Sequence, residues 1–183
     1  MKTLRIIFLG LVAILLVSCA ELVPPVSSTF KPDNNTTVLF ARLNLEKRVS
    51  LGNRIALWLQ NLDSKKSVYI YFDQNQPVYA ITAEPGRYRL MGAAGIDMTH
   101  RVLDRYLFRE KGSKGKYYLP FEVRTNSAIY LGDFVGYAKV NLVAEEWAIK
   151  SVTNNFDQTT EDFRKTYPNL ASLQVFSIFE TQP

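Results

Sequence analysis

The sequence predicts a mainly β protein, an antiparallel β-sandwich with one C-terminal α-helix, and three observations lead to this fold class. The chain contains 10 tyrosines and 11 phenylalanines among 183 residues, and it is rich in other residues that favour a pleated surface. From residue 36 onward, short apolar runs alternate with turn residues, as in a sandwich or barrel. One late segment, residues 157–167, instead has apolar side chains at helical spacing.

The first strands are predicted from their side-chain periodicity. Residues 37–45 begin the domain. Ile55, Leu57 and Leu59 then share one face by the two-residue strand period, which predicts a half-buried strand. Residues 67–72 are so uniformly β-forming that we expect a central strand, and residues 77–82 follow as another.

A Pro-Gly turn is predicted in Glu84-Pro85-Gly86-Arg87-Tyr88-Arg89-Leu90. Proline presets the first corner of a type II turn and glycine tolerates the positive φ of the second. In the strand that follows, we expect Tyr88 and Leu90 to point inward and Arg87 and Arg89 outward.

This segment and Ile129-Tyr130-Leu131-Gly132-Asp133-Phe134 resemble strands of small β-sandwich domains, namely transthyretin-like and carboxypeptidase-regulatory-like modules and bacterial lipoproteins that carry them. The resemblance covers about a third of the chain. It implies a sandwich fold and brings no catalytic residues with it.

The later elements are less uniform. Residues 99–110 fit a helix or a strand, and we favour a hairpin with residues 117–123. Asn155 is placed to cap the helix over 157–167, which Pro168 ends. Residues 172–179 are expected to form a closing strand.

The N-terminus has the pattern of a secretory signal peptide. Lys2 and Arg5 precede an apolar run over residues 6–17, and Ser18 is a small residue at a cleavage point. The run is shorter than the roughly 20 residues that a spanning helix needs. We therefore predict a signal peptide over residues 1–18 that is removed.

The run Leu16-Val17-Ser18-Cys19 resembles the lipobox of bacterial lipoproteins, in which the cysteine sulfur receives a diacylglyceryl group. The alternative is a secreted protein with a chance cysteine, but Cys19 is the only cysteine and stands at the cleavage site. Two or three acyl chains would anchor the protein stably. Residues 19–35, rich in proline, serine and asparagine, are expected to form the lipidated cysteine and a flexible tether, and residues 36–183 the sandwich domain.

The resemblance also bears on location. In a Gram-negative bacterium, Ala20 after the lipidated cysteine resembles the signal for the outer membrane. Loss of Lys2 and Arg5 with the leader leaves 20 basic and 17 acidic residues, a formal charge of +3. This charge is too mild to predict a nucleic-acid partner.

No catalytic or metal-binding set stands out. A Ser-His-Asp arrangement would need His100, the only histidine, with Asp97 or Asp104, yet no Gly-x-Ser-x-Gly turn is present. Glu145 and Glu146 are adjacent and would face opposite sides of a strand. One histidine and a lipidated cysteine disfavour zinc, so we predict neither a metal nor a cofactor.

Three surface features have a structural and a functional interpretation. Gly132-Asp133 could line a loop site, but a strand bulge explains the pair better. Eight tyrosines could form a glycan or peptide platform, although a sandwich core would use most of them: Tyr69, Tyr71, Tyr79, Tyr88, Tyr117, Tyr118, Tyr130 and Tyr137. Six basic residues could bind anionic headgroups, or they could lie on a solvated hairpin: Arg101, Arg105, Arg109, Lys111, Lys114 and Lys116.

The sequence thus predicts a lipid-anchored envelope lipoprotein whose domain is a non-catalytic binding or structural module for a protein, glycan or other envelope component. An envelope hydrolase that uses His100 and a surface-exposed adhesin are the alternatives.

Overall fold

A computed structural model describes residues 23–27, 29–48, 54–72, 76–96, 102–107, 119–140 and 145–180. For residues 45–48, 54, 103–107, 137–140 and 145–147 it describes the backbone only. The predictions for Ser18, Cys19, His100 and the rest of the leader lie outside these residues.

Ten strands and one α-helix follow one another along the described chain. The strands are β1 (Thr37–Arg48), β2 (Arg54–Asn61), β3 (Ser67–Tyr71), β4 (Tyr79–Thr82), β5 (Gly86–Ile96), β6 (Val102–Leu107), β7 (Phe121–Val123), β8 (Ser127–Val140), β9 (Glu145–Thr153) and β10 (Gln174–Ser177). The helix α1 (Phe156–Thr166) and a short 3-10 helix (Pro168–Leu170) lie between β9 and β10.

The strands form two five-stranded sheets. Sheet I has the order β10-β8-β1-β4, with β9 paired to the later part of β8. Sheet II has the order β3-β2-β5-β6, with β7 paired to the start of β5. The predicted mainly β sandwich with a C-terminal helix is confirmed. Sheet I is mixed rather than purely antiparallel, because β8 runs parallel to both β1 and β10.

The main core lies between the two sheets. Leu39, Ile129 and Leu131 of sheet I pack in one cluster with Leu57 and Leu59 of sheet II. The predicted face of β2 is therefore confirmed. Tyr88 and Leu90 are each 1% exposed while Arg87 and Arg89 are exposed, which confirms the predicted alternation after the turn. Gly86 in that turn has a φ of 144°.

A second core lies on the outer face of sheet I, under α1. Phe163 stacks on Phe40 with ring centroids 4.3 Å apart, and Tyr167 packs beside it. Phe163 and Tyr167, the residue that directly follows α1, are at most 2% exposed. The predicted apolar face of the helix is confirmed, and it covers sheet I.

Two strands depart from their predicted places. β3 was expected to be central, yet among the described strands it pairs only with β2 and lies at an edge. Its uniform pattern arises because both of its faces are buried: Val68 and Ile70 face the main core, and Tyr69 packs on the outer side with Ala56. β6 is a strand, as favoured, but β6 and β7 both pair with β5 and not with each other.

Part of the predicted tether packs on the domain. The Val26 N–H donates to the Ala80 carbonyl oxygen at 2.8 Å, and Pro25 forms a bridge with Ile81. The Val26 side chain is 6% exposed and belongs to the core under α1. The segment from Val23 to Val26 therefore runs along β4 as an added edge. Its proline and serine content suggested a free linker because composition does not report pairing with a distant strand.

Candidate functional site

The most polar buried cluster surrounds Asp133 in β8. Phe40 of β1 pairs with Tyr130 of β8, and Arg42 pairs with Asp133. Between these two pairs β8 has one residue more than β1, and this extra residue forms a bulge. Gly132 takes a φ of 125° in this bulge. The bulge interpretation of Gly132-Asp133 is correct, and it directs the Asp133 side chain toward α1.

The Asp133 carboxylate accepts hydrogen bonds on both oxygens. Oδ1 accepts from the Tyr130 hydroxyl at 2.8 Å and from the Thr159 hydroxyl at 2.7 Å. Oδ2 accepts from the Asn155 amide at 3.0 Å, and an Arg42 guanidinium nitrogen lies 3.8 Å away. Arg42 also forms an ion pair with Asp162 of α1. These contacts join β1, β8 and the first turns of the helix.

This cluster has a structural role. Asp133 is 1% exposed and Thr159 is fully buried, so a substrate has no direct access to the carboxylate. Asn155, the predicted capping residue, makes no side-chain cap and instead donates to Asp133. The carboxylate therefore has the role of an acceptor that holds α1 on sheet I.

The Tyr130 hydroxyl has a perturbed acidity. Its burial raises the pKa of Tyr130 well above the usual value of 10.0, and the adjacent Asp133 raises it further, while the Asn155 N–H donates to the hydroxyl oxygen and opposes the rise. The hydroxyl thus stays protonated and donates to Asp133 at any moderate pH.

Because the pKa of Tyr130 is raised in the folded protein, we expect the free energy of unfolding to fall at alkaline pH. Above pH 10 the unfolded chain loses the Tyr130 proton while the folded chain keeps it, so the free energy of unfolding falls as pH rises. Urea denaturation of the wild type and of Tyr130→Phe at pH 8 to 11 measures the two slopes. The variant, although less stable at pH 8, should show a shallower decline. Parallel slopes would contradict this assignment.

Within the described part of the chain, two grooves open at the sides of the sandwich and a third lies beside α1. The first, about 290 Å³, lies between the β3 and β4 edges and is lined by Val23, Lys66, Thr82, Glu84 and Tyr88 among others. Lys66 and Glu84 form an ion pair at 3.0 Å across it. The N-terminal segment thus occupies one rim of this groove.

The second groove, about 360 Å³, lies on the opposite side, between β7 and β10. Its floor is apolar and consists of Phe121, Ile129 and Phe176. Arg124 and Glu122 on the rim form an ion pair with each other at 2.7 Å. β10 is an edge strand among the described strands, and such an edge presents backbone groups that an extended peptide can pair with.

An apolar residue stands next to this second groove. Leu119 is 50% exposed, and it is the one large apolar side chain with high exposure among the residues of the described chain. It precedes Pro120, which lines the groove. This surface could not be predicted from the sequence, because β7 and β10 are distant in the chain.

The other predicted site residues fall into three groups. Tyr69, Tyr79, Tyr88 and Tyr130 are each at most 2% exposed, so these four tyrosines belong to the interior as favoured. Tyr71 is partly exposed, and the side chains of Tyr117, Tyr118 and Tyr137 are outside the described part of the chain. The six basic residues and His100 lie outside the described side chains. Glu145 and Glu146 are successive residues of β9, and only their backbone is described.

No family model matches the chain, and no curated protein is significantly similar to it. Within the residues that the structure describes, no helix is long and apolar enough to cross a membrane. Nor do any three histidine, cysteine, aspartate or glutamate side chains come together there in a way that could hold a metal ion.

Proposed function

We propose that this chain is a lipid-anchored protein of the bacterial envelope, placed in the outer membrane if the source is Gram-negative, whose sandwich domain binds a protein or another envelope component without catalysing a reaction. The observation that carries the proposal is Cys19, the only cysteine, directly after an apolar run and Ser18. The acyl chains on this residue would provide membrane attachment, which leaves the domain surface available for a partner.

The groove between β7 and β10 is the surface that suits a partner best. Its apolar floor, the neighbouring exposed Leu119 and the edge position of β10 among the described strands offer both burial and backbone pairing to an extended peptide segment. The buried Asp133 cluster offers neither, because the Asp133 carboxylate is 1% exposed and both of its oxygens already accept hydrogen bonds.

Replacing residues 1–19 with a cleavable secretory leader tests the anchor. The replacement leaves Val23 and the rest of the domain unchanged, so we expect the same thermal unfolding as the wild type. The wild type should sediment with membranes and enter the detergent phase, whereas the replaced form should remain in the aqueous phase. Equal partition of the two forms would contradict the proposal.

Crosslinking in cells tests the binding role. A photo-reactive residue at Glu122, on the rim of the β7–β10 groove, should give a discrete adduct. The same residue at the exposed Lys150 of β9 is the matched control and should give none. An equal smear from both positions would contradict a specific partner at the groove.

A further inference from the structure

The N-terminal segment links Cys19 to a fixed place on the domain. Pro25 pairs with Ile81 in antiparallel orientation, and Val23 reaches the groove beside Thr82 and Glu84. Followed backward from Val26, the chain therefore runs toward the end of the sandwich at which β4 finishes. Cys19 lies only four residues before Val23.

That end of the sandwich, which we call the near end, is formed by three turns. They lie between β2 and β3, between β4 and β5, and between β7 and β8. Strand pairing brings them together, because Gly86 is opposite Val123, and the Thr37 hydroxyl donates to the Arg124 carbonyl oxygen at 3.0 Å. The register places six other strand termini toward the opposite, far end: Arg48, Arg54, Ile96, Val102, Val140 and Glu145.

The short connection limits how far the domain can stand from the lipid. Four residues span at most about 14 Å even when fully extended. The 12 residues of β1 that run from the near end to the far end span roughly 40 Å at strand geometry. A sandwich fixed at Val23 thus cannot place its far end against the membrane, because this connection is much shorter than the sandwich.

We propose that the near end of the sandwich faces the lipid surface and that the far end points away from it. This orientation rests on the proposed lipidation of Cys19. The expected long tether would have let the domain tumble freely, whereas the pairing of Val23 to Val26 with β4 restricts it.

The charges of the near end indicate how it meets the membrane. Lys66 pairs with Glu84, Arg87 with Asp63, and Arg124 with Glu122, so three ion pairs neutralise most of the charge at this end. Lys65, which donates to the Leu62 carbonyl oxygen, adds one exposed cation to these turns. A surface with nearly matched charges has little attraction for anionic lipid. The acyl chains, not electrostatic attraction, therefore set the orientation, which should be insensitive to salt and to the fraction of anionic lipid.

Site-specific fluorescence on the intact lipoprotein tests this orientation. Cys19 is the only natural cysteine, and its acylated sulfur does not react with a thiol dye, so one introduced cysteine carries the label. Ser64→Cys labels the near end and Asn44→Cys labels β1 seven residues beyond Thr37; both positions are exposed. The proteins are reconstituted in phosphatidylethanolamine and phosphatidylglycerol vesicles that contain a headgroup quencher.

The label at residue 64 should be quenched at least about twofold more strongly than the label at residue 44, because seven strand residues separate the two levels by roughly 23 Å. Ten glycine and serine residues inserted between Glu21 and Leu22 should weaken the quenching at residue 64, because such a spacer adds about 17 Å of reach. Raising the salt concentration should change neither value.

Equal quenching of the two labels, or stronger quenching at residue 44, would overturn the orientation while leaving the anchor intact. Release of the unlabelled wild type from the vesicles would overturn the anchor and, with it, the orientation. An effect of anionic lipid on the quenching ratio would show that charge attraction and not the short connection orients the domain.

Discussion

Asp133→Ala should lower the free energy of unfolding by about 3–5 kcal/mol, the largest effect expected of any polar substitution in this domain. The substitution removes the acceptor of the Tyr130 and Thr159 hydroxyls and of the Asn155 amide. The fully buried Thr159 hydroxyl then has no acceptor, while the Tyr130 hydroxyl and the Asn155 amide keep only their longer hydrogen bonds to Thr153. It also removes one of the two carboxylates near Arg42. Urea denaturation followed by tryptophan fluorescence measures the change.

Glu122→Gln is the matched control, because it also neutralises a carboxylate in an ion pair, but one that is 59% exposed. Its cost should stay below about 1 kcal/mol. If Asp133→Ala prevents folding, Asp133→Asn keeps the side-chain shape and the acceptor for the two hydroxyls, and should show a smaller loss. A cost for Asp133→Asn no larger than that of Glu122→Gln would contradict the structural role of the cluster.

Gly132→Ala should cost about 2–5 kcal/mol for two separate reasons. The backbone at residue 132 has a φ of 125°, which strains any residue with a Cβ atom. A Cβ atom there would also lie 2.7 Å from Val152 Cγ1 and 3.3 Å from Phe179 Cζ, so the neighbouring side chains would have to move. Chemical denaturation of the purified variant gives the cost directly.

The double variant Gly132→Ala with Val152→Ala separates these two causes. Removing the Val152 methyl groups relieves the steric clash but leaves the backbone strain, so the double variant should lose less than the sum of the two single changes. Strict additivity would show that Val152 does not restrict residue 132. A cost of Gly132→Ala below about 0.5 kcal/mol, the size of an ordinary surface change, would contradict the bulge geometry.

The sequence predicted those elements that depend on interactions between residues close together in the chain. The alternation of Ile55, Leu57 and Leu59 reports a buried face, and the Glu84-Pro85-Gly86 turn reports a backbone that needs glycine at positive φ. The spacing of Phe163 and Tyr167 likewise reports the helix face that packs on sheet I. In each case the side chains that make the signal lie within a few residues of one another.

Pairing between distant segments was not predictable from such patterns. The parallel contact of β1 with β8 joins residues about 90 positions apart, and no local signal distinguishes it from an antiparallel one. The uniform apolar pattern of β3 arises because both faces of the strand are buried, and not because the strand lies in the centre of its sheet. The N-terminal segment was misleading for a related reason, since Val26 is one apolar residue within a polar stretch and its partner strand begins more than 50 residues later.

The candidate sites also differ in whether they are formed by neighbouring residues or by distant segments of the chain. Gly132-Asp133 was predicted to be a bulge, but the network around Asp133 also includes Arg42 of β1 and Asn155 and Thr159 at the start of α1, which are distant from it in the chain. The β7–β10 groove gave no sequence signal, because its apolar floor residues also fit a buried core. Cys19 remains the opposite case, since the evidence for its role is entirely local.

Mass spectrometry of the N-terminal peptide, taken from protein purified out of membranes, tests the proposed anchor most directly. We expect a polypeptide that starts at residue 19 and whose first residue carries a diacylglyceryl group on sulfur and an acyl group on nitrogen. A free thiol at residue 19, or a chain that still begins at Met1, would contradict the proposal.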